Sequence, residues 1–319
     1  MTDRHEAPEG QIADAVSGNW VDRRAPERLK PYLRLSRLDR PIGTWLLLLP
    51  CWWGLTLASV SSGWFGPYDL WIAVSCGIGA ILMRGAGCTW NDITDRDIDG
   101  SVARTARRPI PAGDVTARQA LAWAVLQCLI AFGILITYTS TAVWLGILAL
   151  APVAIYPFAK RFTWWPQIFL GLAFNWGALL AWAAHTGTLG LPALLLYAGG
   201  MAWTLFYDTI YAHQDKEDDA LIGVKSTARL FGDATPRYLA VFLGLTVALM
   251  AAAVLLAVPG DATLARLFCL AGVLAMGGHL LRQLLRLDLH DNDGLLQLFR
   301  SNRNAGLLPV LFFAAALLV

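Results

Sequence analysis

Charge is what this sequence has least of. Asp, Glu, Lys and Arg make up 15% of its 319 residues, while 56% are hydrophobic and the mean hydropathy is +0.51. That balance excludes an ordinary soluble globular protein, in which about a quarter of the residues are charged. Cysteine is sparse too. Cys51, Cys76, Cys88, Cys128 and Cys269 all fall inside apolar runs, and none are spaced C-x-x-C. A disulfide framework and a zinc site are therefore set aside, and the cysteines read as small buried hydrophobes. An ordinary secretory leader is not expected either. The first forty residues are polar, no apolar run begins before Ile42, and no small-residue cleavage site follows it. Asp3, Glu6, Glu9 and Asp14 speak against an acid-poor mitochondrial transit sequence. Residues 1–27 are expected to form a disordered tail and residues 28–319 a single membrane-embedded domain. Arg28–Arg40 would lie at the membrane surface, with Leu29, Leu33, Leu35 and Leu38 turned to it.

What the sequence does have is long apolar runs. Nine reach or approach the roughly 17–25 residues that cross a bilayer as a helix: Ile42–Ser61, Leu70–Cys88, Leu121–Tyr138, Ala142–Tyr156, Trp165–His185, Leu191–Tyr211, Tyr238–Val258, Leu264–Leu281 and Ala305–Val319. Lipid offers the backbone no hydrogen-bond partners, so helices are the expected spanning form and the fold class is all-α. The basic residues orient the spans. With the N-terminus in the cytoplasm, 24 of the 25 Lys and Arg residues fall on the inside, and only Arg266 breaks the pattern. The C-terminus is then outside. The spans carry almost no charge away from their ends, which counts against a solute transporter with charges at mid-span.

Two stretches break the apolar pattern, and both end up on the cytoplasmic side. Asn91–Gly113 reads NDITDRDIDGSVARTARRPIPAG; Tyr207–Gly232 reads YDTIYAHQDKEDDALIGVKSTARLFG. Each runs from acidic residues into basic ones. If each continues the helix before it, Asp92, Asp95 and Asp99 share one face at i, i+3, i+7 while Asp97 points away. Asp208, Asp215 and Asp219 share a face at i, i+7, i+11, with Asp218 near its edge. An offset of 116 relates Asp92 to Asp208 and Asp99 to Asp215, a hint of duplication with little other identity behind it.

Carboxylates packed this closely repel one another, by roughly 4 kcal/mol for a pair about 4 Å apart at an effective dielectric near 20. One acidic loop would be read as solvated charge; two with matched faces point to a ligand set for a hard cation. Carboxylate oxygens suit Mg²⁺, which tends to keep waters and to bind substrate phosphates. Asn91 adds a neutral oxygen, and Arg104, Arg107, Arg108, Lys225 and Arg229 follow as phosphate clamps. Together these features describe a diphosphate site at a membrane surface. Two other motifs fail on their chemistry. DRDIDG at Asp95–Gly100 opens like a calcium loop, but its twelfth position is Ala106 instead of a bidentate Glu. Asp99–Gly113 opens like a CDP-alcohol phosphotransferase signature, but the two carboxylates that should follow are Ala117 and Leu121.

The two acidic stretches resemble the two aspartate motifs of the UbiA superfamily of membrane prenyltransferases. LSRLDRPIGTWLLLLPCWW (Leu35–Trp53), YPFAKRFTWWPQ (Tyr156–Gln167) and FRSNRNAGL (Phe299–Leu307) extend the resemblance over nearly the whole chain after residue 30. The wording resembles that of the ubiquinone-pathway branch, with other branches of the superfamily as the alternative. The resemblance implies a nine-helix bundle with its active site at the cytoplasmic end. It implies Mg²⁺ as cofactor, an all-trans polyprenyl diphosphate as donor and 4-hydroxybenzoate as acceptor. Asn91, Asp92, Asp95 and Asp99 would serve one metal, and Asp208, Asp215 and Asp219 another, or the same one from the opposite face. Arg40, Arg104, Arg108, Lys160, Arg161 and Lys225 are the candidates for holding the diphosphate and the benzoate carboxylate. His213 is expected to be a local hydrogen-bonding residue. Arg84 would either snorkel or point inward. Most of the 14 tryptophans are expected to be interfacial anchors. The expected partners are the two substrates and the lipid bilayer, with no nucleic acid and no obligate protein partner. A bacterial inner membrane is the expected location, with the mitochondrial inner membrane as the alternative.

Overall fold

A computed structural model describes residues 18–100, 105–221 and 223–319, leaving aside the side chains of Ile98 and Asp218. Among the described residues the regular structure is helical throughout. Seven of the helical segments are long and apolar enough to cross a membrane. The nine expected spans all fall on helices. Two of them, α9 (Leu191–Ala212) and α14 (Asn292–Ala316), are long but too polar over their length to join the seven. α9 carries Asp208 near its end, and α14 begins with Asn, Asp, Arg and Ser residues among its leucines.

The expected fourth span is two helices, α6 (Ser140–Leu148) and α7 (Leu150–Phe162). Pro152 explains the break: it has no N–H to give the carbonyl of Leu148 one turn earlier. α8 (Pro166–Thr186) starts with proline at its first position, where the missing N–H costs nothing, and stops at Gly187 with φ of 77°.

The chain folds into two compact units. One comprises the described residues up to Thr44 together with Ile78–Gly133; the other comprises Trp45–Gly77 and Ile134–Val319. The first unit holds α1 (Trp20–Arg24), α2 (Lys30–Leu35) and most of α5 (Ala117–Leu135), together with the C-terminal two-thirds of α4 (Pro67–Asp99). α1 falls inside the expected tail, so order begins before residue 27. Asn19 caps this short helix, Asp22 pairs with Arg34 at 2.9 Å, and the Trp20 indole donates to the Leu38 carbonyl. Leu35, Val115 and Ala120 form a small apolar core, with Tyr32, Ile93 and Ile110 packed around it.

The second unit is a helical bundle. α9 packs against α8, against α12 (Thr235–Ala257) and against α14; α13 (Thr263–Leu285) packs between α12 and α14. Its centre is aromatic. Trp53, on α3 (Ile42–Ser62), Trp203 and Tyr207 are all fully buried and pack in sequence, with ring centroids 5.0 and 4.9 Å apart. Both indoles are hydrogen-bonded, Trp53 to the Gly306 carbonyl at 2.7 Å and Trp203 to Asn302 at 2.9 Å, as buried indoles require. These two are therefore core residues, whereas Trp64 and Trp144 are exposed as anchors should be. Gly54 permits the approach of α3 to α8, since a Cβ there would sit 2.2 Å from the Ala178 carbonyl oxygen. At the far end of this unit, His185 links Asp69 (2.6 Å) to Ser62 (2.8 Å). The five cysteines are free thiols, and Cys51, Cys76 and Cys269 are buried.

Candidate active site

α4 is 33 residues long, on the order of 50 Å, against a hydrocarbon thickness of about 30 Å. Its C-terminal turns therefore have length to spare, and they carry the first aspartate motif. The helix stays unbroken through Asp99, so the expected stripe forms. Asp92 and Asp95 are fully buried and Asp99 is 5% exposed, whereas the Asp97 side chain is 88% exposed. Asn91 is half-buried beside them.

Arginines compensate this stripe. Arg37 donates to Asp92 Oδ1 at 2.5 Å, and Arg108 Nη1 reaches Asp92 Oδ1 at 3.2 Å and Asp99 Oδ2 at 2.7 Å. Burial works against the charge on Arg37, but the neighbouring Asp92, with smaller help from Cys88 and Asp39, holds the guanidinium protonated more firmly than usual. Burial pushes the Asp99 carboxyl above the ordinary range. Arg108 opposes that rise, while Asp92 and Asp95 add to it. Arg37 was counted in the sequence only as an inside charge. It is the one non-glycine residue with positive φ (55°) among the described residues, a conformation that costs about 1–2 kcal/mol. Nothing in the residue order announces that turn.

The loop carrying Arg108 is tied down at both ends. Thr105 Oγ1 donates to the Asp99 carbonyl, the Val115 N–H donates to the Pro109 carbonyl, and Val115 and Ile110 sit in the small apolar core. Arg104 lies outside the described residues. Arg40 is buried and pairs with Asp39 at 3.2 Å. Arg84 points inward instead of snorkelling: its Nε and Nη1 are buried with no partner among the described residues, and its head lies over Gly43, where a Cβ would come within 1.3 Å of Nη1.

The second motif departs from the expected geometry. α9 ends at Ala212, a 3-10 turn covers His213–Asp215, and α10 (Lys216–Leu221) follows. A 3-10 turn advances about 120° per residue instead of about 100°, so Asp215 and Asp219 are rotated by roughly 60° from the face of Asp208. The three carboxylates therefore do not ride one uninterrupted helix, while Asp215 remains close enough to Asp208 for its charge to act on that carboxyl. Asp208 is half-buried and takes a hydrogen bond from Gln167, whose Oε1 in turn accepts the Thr227 N–H at 3.2 Å. Gln167 and Thr227 were not singled out in the sequence. His213 is local, as expected: it bonds the Thr235 hydroxyl at 2.9 Å, and burial, with Lys216 beside it, pushes its imidazole down to about 4.

Two basic residues of the second stretch gather on Trp164. Lys225 Nζ and Arg229 Cζ lie 5.9 and 5.3 Å from its ring centroid, and the Lys225 N–H donates to the Lys160 carbonyl at 3.1 Å. Arg229 also donates to the carbonyls of Asp219 (3.2 Å) and Val224. Lys160 and Lys225 are thus brought together, while Arg161 turns over Phe158.

Among the described residues no three His, Cys, Asp or Glu side chains converge tightly enough to hold an ion as they stand. In the first group the reason is visible, since Arg108 takes the place between Asp92 and Asp99. The donor chemistry nonetheless fits a hard cation. Asp92 Oδ2 is buried and has no hydrogen-bond partner among the described residues, a vacancy that costs about 1–3 kcal/mol and that a cation would fill.

A family model described as the UbiA prenyltransferase family matches residues 47–315. The chain belongs to that family. Its relatives include the mitochondrial 4-hydroxybenzoate polyprenyltransferase of Rattus norvegicus, 48% identical over 92% of this chain and 76% of the rat protein. The Homo sapiens protein of the same name is 47% identical over 95% of this chain and 80% of its own. A UbiA homolog from Archaeoglobus fulgidus, solved bound to DMAPP and Mg²⁺, superposes with a TM-score of 0.65 over 90% of this chain and 99% of that one. At 19% identity that likeness is one of fold. As a UbiA family member with seven helices fit to cross a bilayer, the chain is an integral membrane protein.

Proposed function

We propose that this protein transfers a polyprenyl group from a polyprenyl diphosphate to the 4-hydroxybenzoate ring carbon ortho to the hydroxyl, releasing diphosphate. The relatives named for that activity support it, as do the aspartate motifs. The observation in this chain that carries the reading is the buried stripe Asp92, Asp95, Asp99 on an unbroken helix end, with Asp97 excluded from it.

Asn91, Asp92, Asp95 and Asp99 would hold Mg²⁺, and Asp208, Asp215 and Asp219 form a second set of ligands. Bound metal supplies a Lewis acid that stabilises the leaving diphosphate as the allylic C–O bond breaks. The chain's own task is positioning. An unbroken helix fixes the first carboxylates relative to one another, and burial keeps water from competing for them. Arg104, Arg108, Lys160, Arg161, Lys225 and Arg40 supply cations for the diphosphate oxygens and for the acceptor's carboxylate.

We place the protein in a bacterial inner membrane with the N-terminus in the cytoplasm and the C-terminus outside, on the distribution of its basic residues. Several relatives are mitochondrial proteins, which makes the mitochondrial inner membrane the other reading. The test of activity is direct. Membranes are incubated with Mg²⁺, labelled 4-hydroxybenzoate and prenyl diphosphates of several lengths, and the product mass is determined. A prenylated hydroxybenzoate that disappears when Mg²⁺ is chelated is the expected result; no covalent product at any chain length overturns the proposal. A reporter fused after Val319 that is active only in the cytoplasm would overturn the orientation.

A further inference from the structure

Resting on the reading of the first carboxylate group as a metal site, we propose that Arg108 is an exchangeable counter-cation. It bridges Asp92 and Asp99, and it transfers to the diphosphate when metal and diphosphate arrive together.

The way Arg108 is bonded carries the inference. Arginine grips a carboxylate best with two parallel N–H donors. Arg108 instead spreads one nitrogen, Nη1, over two carboxylates at 2.7 and 3.2 Å, while its Nε is buried with no partner among the described residues. Both sides of the contact are therefore incompletely satisfied, since Asp92 Oδ2 also lacks a partner. Buried unsatisfied groups of this kind favour any arrangement that pairs them. A divalent cation would complete the carboxylates. A diphosphate, with several oxygens spaced for a guanidinium fork, would complete the arginine.

Arg37 shows what a fixed counter-cation looks like on the same carboxylate. Its Nη2 holds Asp92 Oδ1 at 2.5 Å, its Nη1 donates to the Arg34 carbonyl at 3.1 Å, and its backbone is locked at a φ of 55°. Arg37 therefore stays and Arg108 leaves. Arg108 needs only side-chain rotation to do so, because Thr105, Ile110 and Val115 anchor its loop independently.

The exchange has a consequence for binding order. Metal alone must displace a charged competitor and gives that competitor no new partner, so it binds weakly. Metal with diphosphate provides one. The two ligands therefore bind cooperatively, and the carboxylates do not hold a metal ion between turnovers.

Two titrations on the full chain in detergent, without acceptor, test this. Mn²⁺ binding is followed by the loss of the free-ion EPR signal, and geranyl diphosphate binding is followed by calorimetry in saturating Mg²⁺. Arg108→Gln is expected to bind Mn²⁺ alone at least about tenfold tighter than the wild type, and geranyl diphosphate at least about tenfold weaker. Arg108→Lys, which keeps the charge, should stay near the wild type in the Mn²⁺ titration. These opposite signs are what a merely bracing arginine would not produce. If both affinities fall together in Arg108→Gln, or if its Mn²⁺ affinity is unchanged, the exchange is wrong while the metal reading stands. If the wild type takes up no Mn²⁺ even with geranyl diphosphate present, the metal reading itself fails, and the exchange fails with it.

Discussion

Asp92, Asp95 and Asp99 ride one continuous helix, are buried, and face two arginines; Asp208, Asp215 and Asp219 are spread over a helix, a 3-10 turn and a second short helix. The basic residues differ as well. Arg37 and Arg108 bond carboxylate oxygens directly, whereas Arg229 bonds main-chain carbonyls and shares the Trp164 ring with Lys225. Two stretches with nearly the same order of acidic and basic residues are thus built on different physical terms. The first stores its cations on the acids; the second keeps some of them on an aromatic platform. One group rides a single helix with two arginines bonded to it, and the other is divided among a helix, a 3-10 turn and a second helix.

The largest effects should come from the carboxylates themselves, and they decide whether both groups are chemical. Asp95→Ala and Asp215→Ala are each expected to lower prenyl transfer by at least about a thousandfold, since on the proposed reading each removes a metal ligand that acts on developing charge. Membrane insertion and a monodisperse elution profile in detergent should survive both changes. Full magnesium-dependent activity in either variant would show that its group is not part of the metal site. Activity lost in Asp95→Ala but kept in Asp215→Ala would turn the difference in construction into a difference in role.

Arg37 tests the compensated group next. Replacing it with Ala leaves Asp92 buried beside a single, poorly matched arginine, and breaking a buried pair in this way costs about 3–5 kcal/mol. Thermal unfolding in detergent should show Arg37→Ala as clearly destabilised, with Arg37→Lys in between. Arg229→Ala is the counterpart in the second group. Its ring contact and main-chain bonds lie at a partly exposed site, where such terms are worth about 1 kcal/mol. Equal losses for Arg37→Ala and Arg229→Ala would erase the distinction drawn between the two groups.

These contrasts also mark how far the residue order can be read. Hydropathy located every long helix, because a span's length and composition are local properties. The face of Asp92, Asp95 and Asp99 was legible for the same reason, as it follows from the helical period over eight residues. The 3-10 turn at His213–Asp215 was not, since HQD carries no Pro or Gly to announce it, and its extra rotation of about 20° per residue moves Asp215 and Asp219 around the axis from where a continuous helix would put them. Nor was Arg37 legible as a partner of Asp92. The two lie 55 positions apart, and the left-handed backbone that aims Arg37 falls on a residue type with no preference for it. Pro152 was in plain view, and its effect on the expected fourth span follows from its missing N–H alone.

The smallest effect should be that of Asp97, and its smallness is what gives the larger effects their meaning. Asp97 lies two residues from Asp95 and Asp99 and carries the same charge, so an account based only on acidity at the helix end would treat all of them alike. The helical period places it on the opposite face, where its side chain is 88% exposed and its one ion pair, to Arg96 at 3.5 Å, is a solvated contact between sequence neighbours. Such pairs contribute little, with a median near 0–1 kcal/mol, and salt screens them further. Asp97→Asn should therefore leave prenyl transfer within about twofold of the wild type and thermal stability within about 0.5 kcal/mol. It should also leave Mn²⁺ uptake in the presence of geranyl diphosphate unchanged. A loss approaching that of Asp95→Ala would mean that the helix end presents its carboxylates as a cloud instead of a face, and the single helix would then give the first group no order that the second, broken one lacks.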